Sequence, residues 1–335
     1  MKNIPYSLRW SLLVSTTVLI ASCIGNPGRA NAQTAPIPVI YDSDIGDDID
    51  DTWALAFLLR CPELDVKLVV GDRGKAQYRA KLMAKFLEQA GRTDVAVGVG
   101  LDIPPKKGSR QAEWVKDYDL KSYPGKVYED GVQAIIDTIM NSPEPVTLIC
   151  VGPVQNIGEA LRREPRIAER ARFVGMHGHV AKDAGPEYNV KMDPKSLQQV
   201  FTAPWEVTIT PFNTCAKVVL RGDRYQRVYT SKDPMAEAIM LNYRMWANHR
   251  GLDSEEAKAV PVRSSHLFDT VAIYLAFSQE WCGMENLGIR ITDEGVTLED
   301  PDAKKVNVAM TWKDQDAFED FLVERVAGGS PESLP

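Results

Sequence analysis

The chain has 335 residues, 44% of them hydrophobic and 25% charged, which is ample for a large core and typical of a soluble enzyme. A formal net charge of −7, with no Lys/Arg cluster beyond the extreme N-terminus, argues against a nucleic-acid backbone as partner and points to small-molecule chemistry. In chain order, the first predicted element is an export signal: Lys2 and Arg9 precede an apolar run from Trp10 to Ala21 that is too short for a comfortable membrane span. Two processing sites compete. Ile20-Ala21-Ser22-Cys23 has the form of a lipoprotein box with Cys23 as the acylated residue, and Ala30-Asn31-Ala32 offers an A-x-A cleavage before Gln33. The protein is therefore expected to be exported, either periplasmic or lipid-anchored to the membrane. Residues 1–36 are read as signal and Gly/Pro/Ala/Asn-rich linker, and 37–330 as one domain.

The domain opens on a predicted strand, Ile37 to Tyr41, and a helical run, Thr52 to Leu59. Between them lies Asp42-Ser43-Asp44-Ile45-Gly46-Asp47-Asp48-Ile49-Asp50-Asp51, with six aspartates in ten residues. Like charges this close repel, so a cation must sit among them or several must be protonated. A hard divalent ion is the simplest solution. A solvated acidic turn would have polar flanks, but Pro38-Val39-Ile40 reads as a buried parallel strand and Trp53, Ala54, Leu55, Phe57 and Leu58 as a core helix. The spacing excludes an EF-hand: counted from Asp42 the glycine is fifth, the twelfth position is Trp53, and a strand precedes. No G-x-x-x-x-G-K-[ST] occurs, and Gly98-Val99-Gly100 lacks the third glycine of a dinucleotide loop.

Further along the chain, strands are predicted at Val66–Val70, Val95–Val99, Val146–Val151, Ala171–Met176 and Glu206–Thr210. Helices are predicted at Ala76–Ala90, Gly131–Met140, Ile157–Leu161 and Pro194–Phe201. Such β-α-β alternation gives an α/β fold with a mostly parallel open sheet flanked by helices. An irregular segment from Ile103 to Tyr128 has the character of a loop that lines a site. Cys61, Cys150, Cys215 and Cys282 are widely spaced without a C-x-x-C, so neither a zinc site nor a disulfide framework is indicated. His177-Gly178-His179 alone is weak evidence for zinc. Several strand ends run into polar or backbone-exposing residues, and their convergence on one sheet edge predicts a carboxylate- and amide-lined cleft.

These strand ends carry a resemblance to the nucleoside hydrolases of the inosine-uridine-preferring type. That family's DxDxGxDD is echoed by Asp42-Ser43-Asp44-Ile45-Gly46 and the later Asp50-Asp51, and its V-G-N by Val70-Gly71-Asp72. Val151-Gly152-Pro153-Val154-Gln155-Asn156 matches T-G-P-L-T-N, Glu187-Tyr188-Asn189 with Asp193-Pro194 matches E-F-N and D-P, and Asp269 matches the aspartate of H-D. The similarity runs from about Ile37 to the terminal strand and helix near Val306–Val326. It implies a Rossmann-like core and Ca²⁺-dependent hydrolysis of an N-glycosidic bond in a nucleoside or related riboside. By the same resemblance Asp44, Asp51, the Val151 carbonyl and Asp269 hold the ion, and Asp44 is the general base. Asp50, Asp72, Glu187 and Asn189 hold ribose hydroxyls, and a homodimer or homotetramer is implied. The chemistry is consistent: a divalent cation acidifies water, a carboxylate takes the proton, and surrounding carboxylates favour an oxocarbenium-like sugar.

The chain departs from the pattern at three places. The doublet arrives two residues late, leaving Asp47-Asp48 as the rival to the preferred Asp50-Asp51. Asp72 replaces Asn. Phe268 stands where some members place a His that protonates the leaving base, so the acid is unassigned among His177, His179, His266, Trp114 and Tyr188. A binding protein that keeps the pocket without turnover, and a hydrolase of another glycoside, are the alternative readings.

Overall fold

The structure, a computed structural model, describes Met1 and residues 35–104, 109–249 and 251–328. The export signal, Cys23 and Ala30-Asn31-Ala32 lie outside the described residues. The chain divides after Ala35, and all the elements below belong to the unit that begins at Pro36.

Ten strands form one sheet: β1 Ile37–Ser43, β2 Leu64–Gly71, β3 Ala96–Gly98, β4 Val127–Tyr128, β5 Val146–Cys150, β6 Ala171–Met176, β7 Val207–Thr210, β8 Cys282–Ile291, β9 Thr297–Glu299 and β10 Lys305–Trp312. Their order is β4-β3-β2-β1-β5-β6-β7-β10-β8-β9. Pairing is parallel from β4 through β10, with antiparallel β8 and β9 added at one edge. From β1 the chain builds outward to β4 on one side, then returns to lay β5 on the other. The carboxyl ends of β1 and β5 therefore flank a topological switch point, where open α/β sheets form their ligand crevice.

The central strands are apolar on both faces because helices cover both. Side chains alternate across β1: Val39 and Tyr41 join the core on one face, Ile40 the core on the other. The helix Asp50–Leu59 has all ten residues buried, including the aspartates at its start. A helix apolar nearly all round can only be central. Phe57, fully buried, sits edge-on to Phe318 at 6.3 Å and Phe321 at 5.8 Å on the last helix, Gln315–Val326, so the first and last helices share one core.

Boundaries differ from the sequence reading in ways that bear on the site. The first helix begins at Asp50, not Thr52, which puts the second acidic doublet inside its first turn. The helix expected from Ile157 spans Gln155–Arg163, so it starts directly behind the bend that follows β5. The segment between Ile103 and Tyr128 contains a one-turn helix, Ala112–Val115, rather than being irregular throughout. Between β7 and β8 lies the helix Pro234–Asn248, which has Pro at its first position and Asp233 capping Met235 N at 2.9 Å. Among the described residues, Cys61, Cys150, Cys215 and Cys282 are free and buried.

Phe57→Ala removes the ring that joins the first and last helices and leaves a cavity. It is expected to cost about 3–5 kcal/mol in denaturant unfolding, and a loss below about 1 kcal/mol would contradict this packing.

Candidate active site

At the end of β1 the backbone turns back at Gly46, whose φ of +99° is open chiefly to glycine. A Cβ there would stand 2.6 Å from Leu82 Cδ1 and 2.7 Å from Tyr78 Cε1, so the turn is also sterically closed to other residues. The turn is clamped from below by Arg79, which is fully buried. Its guanidinium donates to the carbonyls of Asp44, Ile45 (2.7 Å), Gly74 (3.0 Å) and Arg73 (3.2 Å), and to Asp47 Oδ2 (3.4 Å). Arg73, also buried, donates to Asp47 and stands 3.7 Å from Asp44 Oδ2. Asp47 is thus an ionic partner shared by two buried guanidiniums, while Asp48 accepts from Ile49 N at 2.7 Å.

The first doublet is therefore occupied with the loop itself. It is Asp50 and Asp51 whose carboxylate oxygens converge with one of Asp269, all within 4.8 Å of one another and all buried. Asp269 arrives from the far end of the chain, at the start of the helix Thr270–Leu275. Ser43 Oγ donates to Asp51 at 2.6 Å, and no cationic side chain bonds to Asp50 or Asp269 among the described residues. Burial first, and mutual repulsion second, push the carboxyls of Asp51 and Asp269 well above the usual range, and Asp50 rises mainly through burial and the charge of Asp48. Hard oxygen donors so placed, with their charge uncompensated, suit a divalent cation of the Ca²⁺ type. Asp44 lies beside this triad. Burial raises its carboxyl to about 7, although Arg79 and Arg73 pull it down.

The neighbouring strand supplies the Val151 carbonyl. Val151 N donates to the Asp42 carbonyl at 3.0 Å, after which the chain bends through Val154 at a φ of 36°, an unusual conformation for a β-branched residue. Gly152 allows the close approach: a Cβ there would be 2.9 Å from Asp44 N. Asn189 Nδ2 donates to the carbonyls of Val151 (3.0 Å) and Met176 (3.2 Å), which leaves its Oδ1 as acceptor. Glu187 caps the short helix Tyr188–Met192, accepting from Asn189 N (2.8 Å), Val190 N (3.3 Å) and Gly178 N (3.1 Å). Asp44, Asp50, Asp51, Val151, Glu187, Asn189 and Asp269 all line one cavity of about 800 Å³.

Two expectations are placed differently. Asp72 does not line this cavity: it is fully buried under the strand ends, packed against Asp42 and Cys150. There Asn156 Nδ2 bridges Asp42 Oδ2 (2.8 Å) and the Gly71 carbonyl (3.0 Å), so this second carboxylate layer supports the loop from behind. The candidate acids also separate. His177 is buried with Nε2 on the Gly152 carbonyl at 2.9 Å, and burial holds its pKa down at about 4. Trp114 packs on Phe86 away from the cavity. His179 and Tyr188 line the cavity, whereas His266 stands behind its wall. That wall is an aromatic stack: Phe268 lies between Phe212 (5.6 Å, 23°) and His266 (5.5 Å, 19°), and His179 tilts onto Phe212 at 5.3 Å.

Sequence reasoning missed Arg73, Arg79, Arg110, Phe212 and His249. The arginines read as surface charges, and the only available signal for Arg79 was its position on the apolar stripe of the helix Ala76–Gln89. Phe212 and His249 come from separate helices that only the tertiary fold brings to the cavity.

The profile of the family described as inosine-uridine preferring nucleoside hydrolase matches residues 39–320. The non-specific ribonucleoside hydrolase RihC of Salmonella agona is 26% identical over 311 residues, covering 87% of this chain and 98% of that protein. Among solved structures, the plant nucleoside hydrolase PpNRh1 superposes with a TM-score of 0.73 at 21% identity, covering 88% of this chain and 99% of its own. The inosine-uridine preferring nucleoside hydrolase of Bacillus anthracis gives a TM-score of 0.69 at 18% identity, covering 87% and 99%. The profile match, spanning most of the chain, together with a shared mostly parallel α/β fold, makes this protein a member of the inosine-uridine preferring nucleoside hydrolase family, enzymes that hydrolyse N-glycosyl bonds.

Proposed function

We propose that the protein hydrolyses the N-glycosidic bond of nucleosides or a related riboside, with Ca²⁺ held by Asp44, Asp51, Asp269 and the Val151 carbonyl. The observation that carries this reading is the meeting of Asp44, the buried Asp50-Asp51-Asp269 triad, Glu187 and Asn189 in one cavity at the switch point of the sheet. When bound, the ion supplies positive charge that makes nearby water easier to deprotonate. Asp44 takes the proton of the attacking water. Asp50, Glu187 and Asn189 accept ribose hydroxyls and fix the sugar, and the surrounding carboxylates favour positive charge developing on its ring. The apolar run behind Lys2 and Arg9 supports an exported protein, either periplasmic or anchored through Cys23, and the mass of the native N-terminus tests that assignment.

Phe268, a ring with no proton to give, favours a second reading as a nucleoside-binding protein without turnover. Reducing-sugar release across a nucleoside panel with added Ca²⁺ separates the two readings: binding without release supports the second.

Asp44→Asn keeps the shape of the side chain and removes the proton acceptor. Turnover is expected to fall on the order of a hundredfold or more with folding retained, whereas Asp47→Asn should act chiefly on stability through Arg73 and Arg79. Near-normal turnover in Asp44→Asn contradicts its role as base.

Metal removal has a pH signature. Folded-state pKa values raised above the unfolded ones, to about 6 for Asp42 and about 7 for Asp44 and upward in the triad, contribute stability that is fully present below about pH 4. That contribution is lost as pH rises through 6 and 7. His177, kept neutral by burial, works in the opposite sense but is one group against several. Chelator-treated protein is therefore expected to melt at lower temperature at pH 8 than at pH 6, and added Ca²⁺ to raise the melting temperature more at pH 8. Scanning calorimetry showing the reverse order, or no response to Ca²⁺, removes the ion from the triad.

A further inference from the structure

The hydrolase reading leaves the partner of the departing base unassigned: Phe268 carries no proton and His177 is locked in the core, while His179 and Tyr188 remain on the cavity lining. Two cationic side chains line the cavity, Lys75 and Arg110; Lys75 donates to Ser109 Oγ, and the mounting of Arg110 suits that task. Arg110 is half-buried on the cavity wall, and its backbone N–H donates to the Gly46 carbonyl at 3.1 Å, which ties it to the acidic loop. The next residue strengthens the tether: Gln111 N donates to Tyr78 OH at 3.2 Å, and Gln111 Oε1 accepts from Thr52 Oγ1 at 3.1 Å. The guanidinium lies 5.5 Å from the ring centre of Trp246, on the helix Pro234–Asn248 that also brings His249 to the cavity. Among the described residues it makes no hydrogen bond or ion pair to another side chain, so its donors are uncommitted.

Arg110 shares the cavity lining with Phe212 and Phe268, while Glu187 and Asn189 reach it from another part of the chain. Phe212 and Phe268 give the cavity an aromatic wall, and Arg110 gives it a guanidinium with free donors.

We propose that Arg110 receives the negative charge of the departing base in place of a protonating side chain. This rests on the hydrolase reading and assigns the missing half of its chemistry. As the bond from the anomeric carbon to the base nitrogen breaks, its electron pair moves onto the base and spreads over ring nitrogens and exocyclic oxygens. The water oxygen bonds to the anomeric carbon, and one water proton goes to Asp44. The base anion then takes a proton from solvent, and Asp44 returns its own to solvent. A planar guanidinium that is charged at every working pH and has a fork of N–H donors matches such a delocalised anion. The leaving groups favoured are heterocycles with an oxygen acceptor on the exposed edge.

The test compares Arg110→Ala, Arg110→Lys and His249→Gln on inosine, uridine and p-nitrophenyl riboside, with thermal melts to establish folding. Arg110→Ala is expected to lose on the order of a hundredfold in kcat on inosine and uridine, the size seen when one charge-stabilising donor is removed. It should change little on p-nitrophenyl riboside, whose leaving group needs no help. Arg110→Lys should recover part of the loss, and added guanidinium ion should partly rescue Arg110→Ala. A purely structural role would slow all three substrates alike, and that outcome, or no loss on any, overturns the proposal. The same substrate-selective loss in His249→Gln with Arg110→Ala unaffected would assign an acid instead, also overturning it. Wild-type protein that cleaves none of the three contradicts the hydrolase reading itself, a failure distinct from that of Arg110.

Discussion

Three buried carboxylates within 4.8 Å of one another are the constraint around which this molecule is arranged. Two unit charges about 4 Å apart repel by roughly 4 kcal/mol at an effective dielectric near 20, so three such pairs cost about as much as a whole domain's stability of roughly 5–15 kcal/mol. Burial first and repulsion between carboxylates second raise the pKa values of Asp50, Asp51 and Asp269, so the metal-free fold holds them together with protons on some of them. The same repulsion favours occupation of the site by a hard cation. Stability has been given up locally so that affinity for charge is built in before any ligand arrives.

That cost is carried by the scaffold behind the site. Asp50 and Asp51 occupy the first turn of a helix with every residue buried, where backbone N–H groups and the helix dipole favour anions. Arg79 ties four backbone carbonyls of the two loops into one unit, and Arg73 and Arg79 share Asp47 as an ionic partner, with Asp44 3.7 Å from Arg73. The acidic loop therefore has a physical role beyond the triad: it supplies carboxylates to two arginines that have no access to water. A second layer of Asp42, Asp72, Cys150 and Asn156 seals the underside. In that layer the Asp at position 72 stands next to another carboxylate, and burial first, with the charge of Asp42 second, raises its pKa well above the usual range.

The cavity is asymmetric in consequence. Its floor is acidic and rigid, drawn from strand ends and a helix start. Its aromatic and cationic wall, with Phe212, Phe268, His249 and Arg110, comes from a short helix, loops and the end of the helix Pro234–Asn248, outside the sheet core. A sugar and its leaving group differ in the same way: the sugar is a ring of hydroxyls that develops positive charge, and the base is a flat ring that develops negative charge. In the proposed reaction the acidic residues and Arg110 that line one cavity would polarise the bond held between them, which is preorganisation in its electrostatic sense.

The sequence by itself determined the β-α-β alternation, the parallel sheet, the acidic loop at the end of β1 and the late partner at Asp269. The first three are written in local hydrophobic period and composition, and Asp269 only in the resemblance to the nucleoside hydrolases. The edge strands β4 and β9 and the long helix Pro234–Asn248 were not legible, because short edge strands carry little periodic signal and that helix mixes buried and exposed faces without a motif. Only the tertiary structure decided which acidic doublet meets Asp269, because a two-residue register is invisible locally and is fixed by where the first helix starts. It also moved Asp72 out of the cavity, took His177 and Trp114 away from the chemistry and brought in Arg110, whose side chain reads in sequence as one more surface charge. The physical reason is common to all of these: the charge and burial of a polar side chain are set by what packs over it, and that is a property of elements far apart in the chain.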